Sequence, residues 1–394
     1  MNAFEYGLKT KVSFGVDRVR RLAEDVKEWS GDRRAVLITD PGLVRLGIAD
    51  RIASLLTDGG VETVLFSNVE SDPSSASVDA AAAVIREARA RCVVGLGGGS
   101  AMDVAKLAAL VAGAEHPAEH YALMANPFPR KRTVAIMIPT TSGTGAEVTS
   151  TVVFSTAEKR KVWGWDPQLA ADLAVLDPVL TADLPPALTA ATGLDALVHA
   201  IEAVTGRRSD PMIKAYGLQA VRLISANLPR ALENPRDLEA RGQLSVGSML
   251  AGLAIEQGGT GIAHCIGHAL GTLARIHHGR AVAAALYHAY AWNMEGHESA
   301  FADIARAMNV PVAGGADVAE WAMAGCEFYR GLVERSGLDL SLRGDGLSVE
   351  DAPRLAEVMA SAENEPMRSN NCRYASDEDL LRLAEALLAP QAAV

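Results

Sequence analysis

The feature that most constrains this chain is a change of rhythm near residue 180. Before it, short apolar runs that read as buried strands (Ala35 to Thr39, Val61 to Phe66, Cys92 to Leu96, Thr133 to Ile138, Leu173 to Leu176) mostly alternate with helical periods (Val16 to Trp29, Leu43 to Thr57, Ser77 to Arg91, Ala101 to Val111). That alternation demands a parallel sheet with helices on both faces, because each crossover helix must pack back on the sheet. The stretch Phe4 to Gly15 alternates as well and reads as one more strand. From Ala187 onward strand-like runs disappear, and helical periods follow one another from Ala187 to Thr205 through to Asp377 to Leu388. Leu180 to Pro186 reads as the hinge. The expectation is an α/β domain over residues 1–184 with a Rossmann-like parallel sheet, followed by an all-helical domain over 185–394. A chain of 394 residues exceeds what one hydrophobic core organises, which agrees with two domains.

Composition removes several classes of function. A net charge of −11 argues against nucleic acid as a partner, since that needs clustered cations, and the densest basic run, Arg130-Lys131-Arg132, reads as a solvated loop. The N-terminus lacks a basic segment followed by an apolar one, and apolar stretches such as Leu107 to Ala114 are too short to cross a bilayer. The four cysteines are widely separated and form no Cys-x-x-Cys pair, which suits free buried thiols in a reducing compartment. A cytoplasmic protein with no membrane partner is expected.

Two groups of residues carry chemistry. Gly97-Gly98-Gly99-Ser100 stands between the strand ending at Leu96 and the helix from Ala101, which carries Asp103 and Lys106. Glycines there let backbone N–H groups approach a phosphate, and the helix N-terminus adds partial positive charge. A plain strand-to-helix turn is the competing reading, as the spacing is neither a full G-x-G-x-x-G nor a Walker loop. Asp40 closes the Ala35 to Thr39 strand at its carboxyl end, where a carboxylate accepts from ribose hydroxyls and repels the extra phosphate of NADP, so NAD is preferred and NADP is the alternative. The run Pro139 to Thr149 packs Thr140, Thr141 and Thr144 among glycines, a set of donors suited to wrapping a nucleotide, with a polar loop as the plainer alternative.

The second group lies in the helical half. Asp195 and His199 are four apart in one helix and so share a face. His264 lies in another helix, and fourteen residues on comes Ile276-His277-His278-Gly279. One carboxylate and three imidazoles, Asp195, His199, His264 and His278, suit a divalent transition metal. Each histidine alone is more often a packed or surface residue. Cys265, beside His264, should point away from that site, because neighbours on a helix diverge by about 100°. With the metal set in one half and the phosphate loop in the other, a cleft between domains is the expected place for chemistry.

Together these motifs resemble the iron-containing (group III) alcohol dehydrogenases: Gly97-Gly98-Gly99-Ser100-Ala101-Met102-Asp103-Val104-Ala105-Lys106, the Pro139 to Thr149 run, Gly193-Leu194-Asp195-Ala196-Leu197-Val198-His199-Ala200-Ile201-Glu202, and His264-x-x-x-His268 through His278-Gly279. The resemblance covers nearly the whole chain. It implies an NAD(P)-linked oxidoreductase interconverting a small alcohol and its aldehyde or ketone, with one divalent metal as Lewis acid, Fe2+ first and Zn2+ as the alternative. It implies that Asp195, His199, His264 and His278 are the metal ligands, His278 being chosen over His277 because it directly precedes glycine. Gly97, Gly98, Gly99, Ser100 and Asp103 then belong to the pyrophosphate region. Asp40 stands near the adenosine ribose, Thr140, Thr141, Thr144 and Lys161 contact the cofactor, and His268 is a proton-relay candidate. A homodimer or higher homo-oligomer is implied too. The chain departs from the family pattern at Ser71-Asp72-Pro73, at His277, at Tyr287 and at the bulky Trp163 and Trp165. Other readings are a glycerol dehydrogenase-like or dehydroquinate synthase-like enzyme of the same superfold and, from another class, a non-catalytic nucleotide and metal sensor. The stretch Pro366 to Tyr374 reads as a polar loop.

Overall fold

A computed structural model describes residue 4 and residues 6–131, 133–274 and 276–389, so Arg132 of the basic run and the extreme ends lie outside the described residues. The chain forms two compact units, residues 7–183 and residues 184–394 with the N-terminal segment to Tyr6.

In the first unit the order is β1 (Lys11–Phe14), α1 (Leu22–Ser30), β2 (Arg34–Ile38), α2 (Pro41–Arg45), α3 (Ile48–Asp58), β3 (Glu62–Phe66), α4 (Ser75–Ala88), β4 (Cys92–Gly97), α5 (Gly99–Val111), β5 (Val134–Pro139), β6 (Thr151–Ser155), β7 (Lys161–Trp165) and β8 (Leu173–Leu176). Six strands make one sheet in the order β1-β8-β5-β4-β2-β3, and every pairing is parallel. β4 is buried along its whole length and β2 over its last four residues, as continuous Val/Ile/Leu runs require when both faces are covered. β2 pairs with β3 on one side and β4 on the other, so the chain reverses its direction of travel across the sheet there. Such a switch point leaves a crevice outside the carboxyl ends of β2 and β4, where open α/β sheets bind ligands.

The structure departs from these expectations at three points and adds a hairpin that they did not include. The strand expected from Phe4 is only Lys11–Phe14, because Tyr6 belongs to the helical unit, with its ring stacked on Tyr216 and its hydroxyl donating to the Leu253 carbonyl at 3.1 Å. The helix expected from Leu43 to Thr57 is two helices, broken at Gly47, whose φ of +71° suits glycine. β6 and β7 form a separate antiparallel hairpin that places Trp163 opposite Val153. The basic run is not simply solvated, since Lys131 Nζ bonds Asp172 at 2.8 Å and the Ala170 carbonyl at 2.9 Å.

The helical unit contains α6 (Pro186–Thr205), α7 (Pro211–Glu233), α8 (Leu238–Gly258), α9 (Ile262–Leu273), α10 (His278–Met294), α11 (Glu298–Ala307), α12 (Val318–Arg335), α13 (Ala352–Met359), α14 (Glu365–Asn370) and α15 (Asp377–Leu388). Helix α6 is its axis: every residue from Thr189 to Thr205 is buried. It is long and apolar enough to cross a bilayer, against the expectation that no stretch was, but 89% of its 18-residue apolar window is buried inside the protein. The stretch Pro366 to Tyr374 is also corrected, being not all loop: α14 occupies its first part, and Arg368, Asn370 and Asn371 are buried with hydrogen bonds to backbone and, for Arg368 and Asn371, to the Asp377 and Asn293 side chains.

Candidate functional site

Three helices bring the metal candidates together. Asp195 and His199 face the same way from α6, His264 projects from the first turn of α9, and His278 is the first residue of α10. Glycines allow the close approach. A Cβ on Gly279 would stand 2.3 Å from the Ala191 carbonyl oxygen of α6, and one on Gly267 would stand 2.5 Å from Val282 of α10. The glycine after His278 is therefore what lets α10 touch α6, and with it His278 reaches Asp195. His277 points outward and is exposed.

One ligand atom from each of Asp195, His199, His264 and His278 lies within 4.8 Å of the others. The Nε2 atoms of His199, His264 and His278 are 3.8, 3.7 and 3.8 Å from Asp195 Oδ1. These separations are too long for hydrogen bonds, and buried Asp195 Oδ1 and His264 Nε2 have no protein partner. Donors about 2 Å from a shared ion are spaced in this way around it, so the residues present fit a divalent metal. The shell is lopsided: the Asp195 and His264 side chains are 3% exposed and His199 7%, whereas His278 is 31% exposed. The approach is on the His278 side, where His268, half-buried one turn beyond His264, has its ring 5.4 Å from that of His278.

The electrostatics favour a cation at this point. Burial acts to raise the Asp195 carboxyl, but His199, His278 and His264 outweigh it and hold it below the ordinary carboxylate range. Burial acts to lower His264, but Glu202 and Asp195 overcome it and push the imidazole up to about 9. The Glu202 partner was quoted in the sequence motif without a role. Its signal was available: seven residues after Asp195, it lies within about 20° of the same helix face. Cys265, by contrast, turns away from the cluster and donates to the Met359 carbonyl.

In the α/β unit the nucleotide candidates gather at the switch point. Gly97 has φ +149° and a Cβ there would meet Ala101 at 2.8 Å, so only glycine fits this turn. Gly98 and Gly99 face Thr141 and Thr144, whose side-chain atoms lie 3.7 and 3.0 Å from where a Cβ would stand. Thr140 is buried, and its N–H donates to the Gly97 carbonyl. No side chain caps α5, a helix of 13 residues, so its first N–H groups face the groove between the glycine and threonine loops. These features fit a pyrophosphate. Asp40 Oδ1 caps α2 by accepting from Gly42 and Leu43, while Oδ2 lies 3.4 Å from the Gly97 Cβ position.

Three other candidates have structural employment. Ser100 Oγ donates to the Ser71 carbonyl at 2.7 Å, which leaves its N–H for an anion. Asp103 accepts from the Val153 N–H and sits 3.2 Å from Lys106 Nζ, facing the protein and not the groove. Lys106, 1% exposed, also donates to the carbonyls of Ala146, Thr149 and Thr151, which ties the threonine-rich segment to α5. Lys161 begins β7, half-buried and near enough to act on the Asp103 carboxylate. At the departure Ser71-Asp72-Pro73, Asp72 accepts from Ser155 Oγ, so that segment is sewn to the hairpin.

Known proteins match the chain along nearly its whole length. The family model "Iron-containing alcohol dehydrogenase" matches residues 9–178, and "Fe-containing alcohol dehydrogenase family, C-terminal" matches residues 189–388. The chain is 32% identical to the sulfoacetaldehyde reductase of Bilophila wadsworthia (strain 3_1_6) over 386 residues, covering 98% of this chain and 99% of that one. The crystal structure of a 1,3-propanediol oxidoreductase superposes with a TM-score of 0.90 at 30% identity, covering 98% of this chain and all of the other. A sulfoacetaldehyde reductase from Bifidobacterium kashiwanohense in complex with NAD+ gives 0.88 at 28% identity, covering 99% and 100%. With two family models spanning its two units and relatives matched end to end, the chain belongs to the iron-containing alcohol dehydrogenase family, oxidoreductases that act on alcohols and aldehydes.

Proposed function

We propose that the protein is an NAD-linked, metal-dependent dehydrogenase that interconverts a small, polar primary alcohol and its aldehyde, and that Asp195, His199, His264 and His278 hold the metal. The observation that carries this reading is the convergence of one carboxylate oxygen and three imidazole nitrogens within 4.8 Å. A divalent metal, Fe2+ first and Zn2+ as the alternative, supplies Lewis acidity to the substrate oxygen, and the nicotinamide supplies the hydride acceptor. The small-substrate assignment draws on relatives named for sulfoacetaldehyde and 1,3-propanediol.

The chain's own residues do the remainder. The anionic Asp195 balances part of the charge held among three neutral imidazoles. The burial of Asp195, His199 and His264 keeps water from the inner side, so a substrate oxygen enters beside His278. His268, next to that opening, takes the alcohol proton in oxidation and returns it in reduction. Gly98, Gly99, Thr141 and Thr144 with the start of α5 bind the pyrophosphate, and Asp40 accepts from the adenosine ribose while repelling a 2′-phosphate.

The test is a screen of anaerobically purified protein, loaded with Fe2+ or Zn2+, against short diols and simple alcohols with NAD or NADP, and against sulfonated aldehydes with NADH or NADPH. Absorbance of the reduced nicotinamide should change with NAD, with stoichiometric product. Nucleotide and metal binding without any redox change across the panel would refute the reading. Light scattering of the same sample tests the homodimer, which we propose on the family resemblance.

A further inference from the structure

We infer that Glu202 is a positioning residue that makes the metal site by holding the start of α9 and the ring of His264 with one carboxylate. This rests on the metal reading of the quartet. Glu202 is 2% exposed and charged groups are rarely buried so completely without a task. Its Oε2 accepts from the Gly261 N–H at 2.8 Å and lies 2.6 Å from His264 Nδ1, and its Oε1 accepts from the Ala263 N–H at 2.6 Å. Two of these donors are backbone groups at the start of α9 that no intrahelical bond satisfies. Gly261, just before the helix, contributes no side-chain cap of its own.

The third bond is what reaches the site. A carboxylate on Nδ1 keeps the proton on that nitrogen, so the proton a metal would displace is the one on Nε2, which lies 3.7 Å from Asp195 Oδ1. The same bond fixes rotation of the ring, which stacks on His199 with centroids 4.4 Å apart. Helix capping and ligand orientation thus share one side chain, and the helix cannot shift without turning the ligand. The glycine at 261 is part of the device: a Cβ there would stand 3.1 Å from Glu202 Oε1 and 2.6 Å from Asn371 Oδ1.

Asn371 supplies the internal control. Its Oδ1 accepts from the Ile262 N–H at 3.0 Å, so it caps the same helix start, but the described hydrogen bonds of its side chain go to Ile262, Asn293 and Arg373 and none to His264. If Glu202 acted only by stabilising α9, Asn371→Ala and Glu202→Ala would harm metal binding alike.

The experiment measures Zn2+ affinity by chelator competition on the full chain for wild type, Glu202→Ala, Glu202→Gln and Asn371→Ala, with thermal melts to check folding. Histidine 15N spectra of the Zn2+-loaded protein follow the Nδ1 proton of His264. Expected are a loss of about 10–100-fold in affinity for Glu202→Ala, with that proton signal lost or displaced. A smaller loss is expected for Glu202→Gln, whose single oxygen keeps the His264 bond, and Asn371→Ala should stay near wild type. Equal losses in Glu202→Ala and Asn371→Ala, or wild-type affinity in both Glu202 variants, would overturn the inference. Absence of Zn2+ binding in the wild type would instead remove the quartet reading and this inference with it.

Discussion

Under the proposed function the two units would hold a small charged group by opposite means. At the switch point of the α/β unit the site is chiefly main chain: glycines that bring backbone close, an uncapped helix start, and threonines set against them. In the helical unit the candidate site is side chain, one carboxylate oxygen and three imidazole nitrogens brought together from three helices. The first kind of site is specified by what is missing from a residue, the second by what it carries. Substitutions should therefore injure the two through different observables.

The largest expected effect is on the side-chain site. His264→Ala removes a ligand and leaves Glu202 and Asp195 as buried carboxylates with no imidazole between them, so kcat/KM should fall by about three orders of magnitude, a loss of several kcal/mol of transition-state stabilisation. NAD affinity, measured by calorimetry, should be unaltered; a parallel loss there would break the division of labour.

Gly99→Ala should do the reverse. The added Cβ stands 3.0 Å from Thr144, so the space proposed for the pyrophosphate narrows. An increase of about 10-fold in KM for NAD is expected, worth roughly 1.4 kcal/mol, with Zn2+ affinity unchanged. A normal KM would show that the groove is not the nucleotide site.

Gly279→Ala sharpens the comparison by asking whether the helical unit has a place where backbone also matters. A Cβ 2.3 Å from the Ala191 carbonyl must push α10 from α6. Overpacking of this kind costs about 1–3 kcal/mol, read in a denaturant melt, and His278 should move away from Asp195, weakening metal binding as well.

The smallest effect concerns Glu147, buried beside the threonine-rich segment and pushed up to about 7 by burial. Because its folded pKa exceeds the ordinary value of 4.5, the folded state holds a proton that the unfolded state has lost between those pH values. Its stabilising contribution is whole below about pH 4.5 and gone above about pH 7. Glu147→Gln should flatten the fall in melting temperature across that window while leaving turnover near wild type; an unchanged profile would place the carboxylate in a wetter setting than its burial indicates.

How much of this was legible in the sequence follows from the same contrast. The parallel sheet was readable because Val36 to Ile38 and Val93 to Leu96 are continuous apolar runs that only a two-sided sheet buries. The quartet was readable because histidine and aspartate carry their chemistry in their names. What escaped was held by polar contacts without periodicity. Helix α14 is six residues long and begins beside a proline, and its burial depends on Arg368 and Asn370 bonding to carbonyls. Asp103 looked like a cofactor contact because it follows the glycine loop. Only the fold shows its carboxylate turned to Val153 and Lys106. Glu202 stood in plain view at a helical interval from Asp195, but its partners are backbone groups some sixty residues away, which no local pattern announces.

The uneven burial of the four ligands has a kinetic consequence. Three are sealed in the core and one, at the mouth of α10, touches solvent. An ion held there as proposed would exchange with the surroundings on the His278 side, where the shell is open to solvent. His278 would then govern its residence time, and the three buried residues how firmly it is held. On that reading the protein would acquire whichever suitable cation its surroundings supply and keep it for as long as that one imidazole stays in place.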